Sequence, residues 1–222
     1  MSVVTKERVT YSRFSPIDAL KVAWDRYACD LWCWSLPFAL YCGLAIILGA
    51  KLQYGDRILF ATVVSVLMGL WHGIVADAST HVWRGEKKAS FYFPCHWQPA
   101  VAGILMWTLS SLSSLFIPFV GVIIPLVFSV GVTAAAADKS LTAAVVEPLK
   151  MFRAVPLRAT TLVVLASIIA VIGFFALFVG AVITYPLAIM LISAGFFMSR
   201  GEDDMDAVSY THLRAHETPE HL

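Results

Sequence analysis

The sequence predicts an all-α membrane protein in which six transmembrane helices form three hairpins, joined by amphipathic cytoplasmic connectors. Residues 100–137 and 159–199 contain no Asp, Glu, Lys or Arg. Each of these runs is too long for a single crossing of about 20 residues, so each is predicted to be a helical hairpin. The charged stretch 131–158 separates them and must reach water or the lipid headgroups. Only 14% of the 222 residues are charged, against about 25% in soluble domains.

The chain begins with residues 1–14, which are polar and are expected to form a flexible N-terminus. Residues 15–30 predict an amphipathic interfacial helix. Ser15 can cap its start and Pro16 suits the first helical position. Apolar side chains recur at helical spacing and favour a helix lying on the membrane surface; they are Ile17, Leu20, Trp24, Tyr27 and Leu31.

The six-helix transmembrane domain is predicted over residues 31–199. Its first crossing, residues 31–50, has 20 residues without a charge and would span about 30 Å, the thickness of the hydrocarbon core. The second helix is expected to continue to Trp83 and to stop at Gly85. The remaining predicted crossings are 58–76, 100–117, 119–137, 159–179 and 181–199.

Basic residues divide unequally between the two sides of this arrangement. Five precede the first crossing, three lie in the second connector, four lie in the third and one follows the last crossing, thirteen in all. The opposite side carries only Lys51 and Arg57. Because Lys and Arg concentrate on the cytoplasmic side, both termini are predicted to be cytoplasmic.

The last residues have an unusual origin. A transposon-end adapter used to prepare sequencing libraries encodes residues 208–218, VSYTHLRAHET. We therefore expect an artefactual tail, 208–222, of translated adapter from about Val208, and an acidic cytoplasmic segment, 200–207, that starts a lost C-terminus. His212, His216 and His221 are accordingly not expected to bind metal.

Candidate chemical groups inside the crossings are few. Among Asp, Glu, Lys, Arg and His, only His72 lies well inside a predicted crossing, which argues against a proton-coupled pump. Asp77 and His81 can pair one helical turn apart, whereas His72 lies on the opposite side of the helix from His81. A helix-end hydrogen bond is therefore expected here rather than a metal or proton site. No catalytic, cofactor-binding or metal-binding residue is predicted.

Two sets of residues are candidate contacts. Ser110, Ser111 and Ser114 give the third crossing a polar face, for which helix packing is expected and a substrate path is the alternative. Basic connector residues are candidate contacts for anionic headgroups of the bilayer, and the alternative is that they serve only to set topology; they are Lys87, Lys88, Lys150, Arg153 and Arg158. No nucleic-acid partner is expected, and protein partners or a homo-oligomer stay open.

Several local patterns carry a family resemblance over about residues 15–198. They are Ala19-Leu20 with Ala23-Trp24, Ile117-Pro118 and Ile124-Pro125, Ala134 to Asp138, the connector residues Ala144, Leu149, Lys150 and Arg153, and the run from Val182 to Leu187. With these patterns the chain resembles uncharacterised bacterial inner-membrane proteins related to the membrane domain of glycerophosphoryl diester phosphodiesterases. The resemblance implies the bacterial cytoplasmic membrane. It also implies that any phosphodiesterase chemistry belongs to a separate soluble domain with acidic metal ligands, which nothing in this chain matches.

Three functional hypotheses follow from the sequence. The first is a non-enzymatic module that organises the membrane or its lipids. The second is a carrier or channel for a neutral or lipidic substrate. The third is the membrane anchor of an enzyme whose soluble catalytic domain is missing from this fragment.

Overall fold

The computed structural model describes residues 11, 13–52, 57–85, 96–116, 118–175 and 179–202. Within these residues the chain forms eight α-helices and no strand, which confirms the prediction of an all-α protein. The helices are α1 (Pro16–Cys29), α2 (Leu31–Leu52), α3 (Arg57–Trp83), α4 (Trp97–Phe116), α5 (Pro118–Asp138), α6 (Ala143–Ala154), α7 (Pro156–Phe175) and α8 (Val179–Ser199).

Six of these helices are long, and they lie where the uncharged runs of the sequence predict crossings. Helices α2, α3, α4, α5, α7 and α8 contain between 20 and 27 residues each. Four contain segments both long and apolar enough to cross a membrane, namely Leu31–Leu48, Leu59–Trp83, Pro156–Gly173 and Gly180–Ser199. The prediction of a protein with membrane-spanning helices is thus supported by length and composition.

Helix α1 shows why the N-terminal segment is amphipathic. Its start is capped by Ser15, whose hydroxyl accepts a hydrogen bond from the backbone N–H of Asp18 at 3.3 Å. The small side chains of Ala19 and Ala23 are fully buried, where α1 packs against α8 and α7. Trp24 points outward and is 49% exposed. The helix therefore docks through Ala19, Ala23 and Tyr27 and leaves Ile17 and Trp24 exposed.

Helices α3 and α4 approach each other very closely because glycines line their contact. A side chain added at Gly73 would lie 2.6 Å from the Cα of Ala100, and one added at Gly69 would lie 2.6 Å from the carbonyl oxygen of Gly103. Such distances leave no room for a Cβ atom. Small residues four apart allow this kind of backbone contact between helices in membranes.

Helix α8 is the centre of the bundle. It packs against α1, α2, α3, α5 and α7, and nearly all its residues from Pro186 to Phe197 are buried. Phe196 and Phe197 belong to the main hydrophobic core. Helices α3 and α7 supply further buried residues, so the core lies between the long helices.

The helix ends follow local chemistry. Gly85 has a φ of 91° just beyond α3, as expected for the predicted helix stop, because glycine adopts positive φ without steric cost. Helix α5 ends differently, since Lys139 takes a φ of 50° and the N–H of Ser140 donates to the carbonyl of Ala135 at 3.3 Å. A lysine thus occupies a left-handed position that favours glycine.

Candidate functional site

A cavity of about 360 Å³ lies between helices α3, α4, α5, α7 and α8. Its volume falls in the range of ligand pockets in proteins, about 300–1,000 Å³. Most of the wall is aliphatic, and this part is formed by Ala166, Ala170, Val171, Ala188, Ile189 and Ile192. The described side chains that line it include no Asp, Glu, Lys or Arg.

His72 lines the cavity, with both of its ring nitrogens buried. It lies on α3 between Gly69 and Gly73, where the close approach of α4 encloses it, and its exposed fraction is 1%. Neither ring nitrogen has a hydrogen-bond partner within the described part of the chain. An unpaired buried polar group costs about 1–3 kcal/mol. A small rotation of the ring would bring one of these buried nitrogens to the cavity surface, and His72 would then be a hydrogen-bonding group for a molecule there.

Aromatic rings from three other helices surround Tyr185 of α8, which also lines the cavity. Its ring stacks on Phe38 of α2 with centroids 5.3 Å apart and lies 5.5 Å from Trp71 of α3. Trp107 of α4 lies 6.3 Å away, and His72 meets the ring edge-on at the same distance. Aromatic pairs at these separations are mutually attractive. The cluster therefore fixes one wall of the cavity.

Two serine hydroxyls add hydrogen-bonding groups to the apolar wall. Ser129 donates to the carbonyl of Pro125, and Ser167 donates to the carbonyl of Val163. Each bond runs back one helical turn and leaves acceptor capacity on the serine oxygen. The indole N–H of Trp107 has no partner among the described residues. The cavity is thus apolar with a few uncharged hydrogen-bonding groups.

The serines predicted on the third crossing divide between two environments. Ser110 is buried and lines the cavity. Ser111 hydrogen-bonds with Ser65 of α3 at 2.5 Å, an interhelical contact of the kind expected for helix packing. The side chain of Ser114 lies outside the described residues. Of the two interpretations given for this polar face, packing suits Ser111 and a place on the cavity wall suits Ser110.

No sequence pattern predicts four of the cavity residues, Trp107, Ser129, Ser167 and Tyr185. They come from four different helices, and no spacing along the chain connects them. A weak signal existed in Ser129 and Ser167, each of which places a hydroxyl inside a strongly apolar run.

The residues predicted to contact lipid headgroups lie in the polar connectors, and those that the structure describes do not line the cavity. Lys150 pairs with Glu147, with Nζ and Oε1 2.7 Å apart. Arg158 donates to the backbone carbonyl of Phe14 at 2.6 Å. Arg153 is exposed on α6. Lys87 and Lys88 lie outside the described residues.

Glu147 joins the N-terminal segment to α6. The hydroxyl of Tyr11 donates to its Oε2 at 2.5 Å, and Lys150 binds the other oxygen. Burial opposes ionisation, but these hydrogen bonds and the charges of Lys150 and Arg200 outweigh it and lower the pKa of Glu147. Burial and the bond to Glu147 raise the pKa of Tyr11. Glu147 is therefore an anchoring carboxylate rather than a reactive one.

Asp77 makes contacts that the sequence did not predict. Its Oδ1 lies 3.1 Å from Nδ1 of His96, and its Oδ2 accepts the backbone N–H of His96 at 3.2 Å. His96 precedes α4, so Asp77 connects the last turns of α3 to the start of the next helix. The predicted helix-end hydrogen bond of Asp77 is therefore made to a residue 19 positions away.

Comparison of the chain with protein-family models, curated proteins and solved structures finds no match. The resemblance to the membrane domain of glycerophosphoryl diester phosphodiesterases stays a prediction. The acidic segment after Glu202 and the tail from about Val208 lie outside the described residues.

Proposed function

We propose that this chain is a six-crossing bacterial inner-membrane protein, not an enzyme, that carries a neutral, lipidic molecule. The observation behind the proposal is the cavity between α3, α4, α5, α7 and α8, with its aliphatic wall and unpaired His72. Of the three hypotheses drawn from the sequence, the carrier gains support from this cavity. A module that only organises lipids around its outer surface would not need a binding volume between its helices.

Six crossings are supported by the lengths and connections of the helices. Helices α4 and α5 contain 20 and 21 residues, within the length needed to cross. Arg84 after α3 donates to the carbonyl of Ala137 near the end of α5, and Arg200 after α8 pairs with Asp138 at 2.9 Å. The ends of α3, α5 and α8 therefore meet on one side. The excess of Lys and Arg on that side supports a cytoplasmic location for it.

The chemistry of the wall defines the class of ligand. Apolar surface around most of the cavity suits an acyl or isoprenoid chain, and an ionised group there would be strongly unfavourable without a charged partner. His72, Trp107 and Ser110 suit one hydroxyl, ester or amide group on that chain. The proposed ligand is therefore a neutral lipid with a single hydrogen-bonding group near its chain.

Binding can be measured through the tryptophans of the site. The protein in nanodiscs would be titrated with a monoacylglycerol whose acyl chain carries two bromine atoms, because bromine quenches nearby indole fluorescence. We expect saturable quenching that Ala188→Phe abolishes, since Ala188 is buried on the cavity wall. His72→Phe should weaken binding about five-fold, equivalent to one lost hydrogen bond of about 1 kcal/mol. Equal quenching of the parent protein and Ala188→Phe would contradict the proposal.

A matched control is available on the same helix. Ile183 of α8 is 39% exposed and is absent from the cavity wall, so Ile183→Phe should bind the probe as the parent does. Transport is then measured in liposomes with a fluorescent neutral glycolipid. A chemical reductant is added to destroy the fluorophores in the outer leaflet. Transport that is abolished by Ser110→Leu and by Ala188→Phe would support a carrier. Binding without flux would favour the lipid-organising module instead.

A further inference from the structure

Three side chains that can bind metal meet at the polar end of α3 and α4. Asp77 and His81 come from the last two turns of α3, and His96 immediately precedes α4. One ligand atom from each lies within 4.8 Å of the others. The carboxylate of Asp77 is 7% exposed and the side chain of His96 is 34% exposed. The cluster is thus largely sheltered but accessible from one side.

The separations suit a first-row transition metal. Imidazole nitrogens and carboxylate oxygens bind Zn²⁺ at about 2.0–2.2 Å, and in a tetrahedral site two such ligand atoms lie about 3.4 Å apart. The Oδ1 of Asp77 and the Nδ1 of His96 are already 3.1 Å apart. The ring centroids of His81 and His96 are 6.1 Å apart with an angle of 21° between the planes. Small side-chain rotations would bring the three ligand atoms to one ion.

The helix ends also favour a cation at this place. Asp77 caps the start of α4 by accepting the N–H of His96, and that cap needs no second imidazole. His81 nevertheless lies beside His96, in the last turn of α3, where the negative end of the helix dipole favours a cation. The buried charge of Asp77 favours one as well. One carboxylate and two imidazoles at this place therefore form a set of ligands that suits a metal ion.

We propose that Asp77, His81 and His96 form a binding site for a divalent transition-metal cation of the zinc class. Two imidazoles and one carboxylate are ligands that zinc accepts, and three protein ligands leave the fourth position for water or another molecule. The ion would join the end of α3 to the start of α4. This proposal goes beyond lipid binding and does not depend on it.

The test uses the full chain with His212, His216 and His221 each replaced by Ala, so that the tail cannot contribute ligands. The protein in detergent is incubated with Zn²⁺, desalted and analysed for metal content, and Co²⁺ is added separately to record its visible absorption spectrum. We expect one zinc per chain and the strong bands of tetrahedral cobalt. Asp77→Asn, His81→Gln and His96→Gln should each weaken zinc binding at least ten-fold.

Two features of the design keep the test decisive. Asn at position 77 can still accept the N–H of His96, so Asp77→Asn should fold while losing the charged ligand. Asp138→Asn is the matched control, because it removes a carboxylate that pairs with Arg200 at the same polar end, and it should retain the parent's zinc content. The proposal is overturned if the parent binds no zinc, or if Asp77→Asn and His81→Gln bind as much as the parent.

Discussion

The contact between α3 and α4 yields the sharpest prediction, because it is made between two backbones. In Gly69→Ala the new Cβ would lie 2.6 Å from the carbonyl oxygen of Gly103 and 2.6 Å from the backbone nitrogen of Ile104. Ordinary contacts begin near 3.4 Å. Since backbone atoms cannot rotate away and the Cα of Ile104 lies closer still to the new Cβ, the helices must move apart by at least about 0.8 Å.

A second glycine allows the free-energy cost of the clash at Gly69 to be separated from the helix preference of alanine. Gly43 of α2 has no atom within 4 Å of an added Cβ, so Gly43→Ala gains only the intrinsic helix preference for Ala, about 1 kcal/mol. Gly69→Ala gains the same preference but also carries an overpacking cost of about 3 kcal/mol, the upper part of the usual range. The two variants should therefore differ by about 3 kcal/mol. For a chain of this length that corresponds to about 6–12 °C in Tm.

Thermal unfolding in detergent, followed by tryptophan fluorescence, measures this difference. Trp71 and Trp107 lie near the contact, so their emission also reports the separation of α3 from α4. Gly69→Ala should melt well below the parent and Gly43→Ala at or above it. Equal melting temperatures for the two variants would refute the close backbone contact and, with it, the position of His72 on the cavity wall.

Other predictions concern the polar connectors and one interhelical bond. Lys139→Gly should raise the free energy of unfolding by about 1 kcal/mol, because its φ of 50° is unfavourable for lysine; an unchanged Tm would contradict this. The lowered pKa of Glu147 means that its stabilisation is present at neutral pH and lost as pH falls through the folded-state pKa. The Tm values of the parent and Glu147→Gln should therefore converge in acid. The pKa of Tyr11 is raised, so its contribution to stability is present below its unfolded-state pKa of about 10 and declines as the pH rises from there towards the folded-state pKa. Tyr11→Phe should therefore lose less stability in alkali than the parent. Ser111→Ala should lower stability by about 0.6 kcal/mol through the lost bond to Ser65, as in other membrane helices.

The helices could be predicted from sequence because lipid imposes a length on every uncharged run. The start of α1 at Ser15 and the end of α3 at Gly85 were also predictable, since both depend on local capping chemistry. The cavity could not be predicted in this way. His72 and Tyr185 are separated by more than a hundred residues, and only the packing of α3 against α8 brings them together.

The cluster of Asp77, His81 and His96 likewise could not be predicted in full from the sequence. Spacing along α3 correctly separated His72 from Asp77 and His81, because it follows the helical repeat. It could not supply His96, whose position depends on how the chain returns to begin α4. The expectation of no metal site rested on one helix alone, whereas the proposed site takes its third ligand from beyond it.

The long-range anchoring of the N-terminal segment has a consequence for biosynthesis. Tyr11 bonds to Glu147, Arg158 bonds to Phe14, and Ala19 and Ala23 are buried where α1 meets α8. Ribosomes add about 5–20 residues per second, so α1 would wait roughly 7–30 s for its partners to be made. During that interval its small-residue face has no binding surface, and α1 would rest at the membrane interface. The first helix translated would thus be among the last to reach its final position.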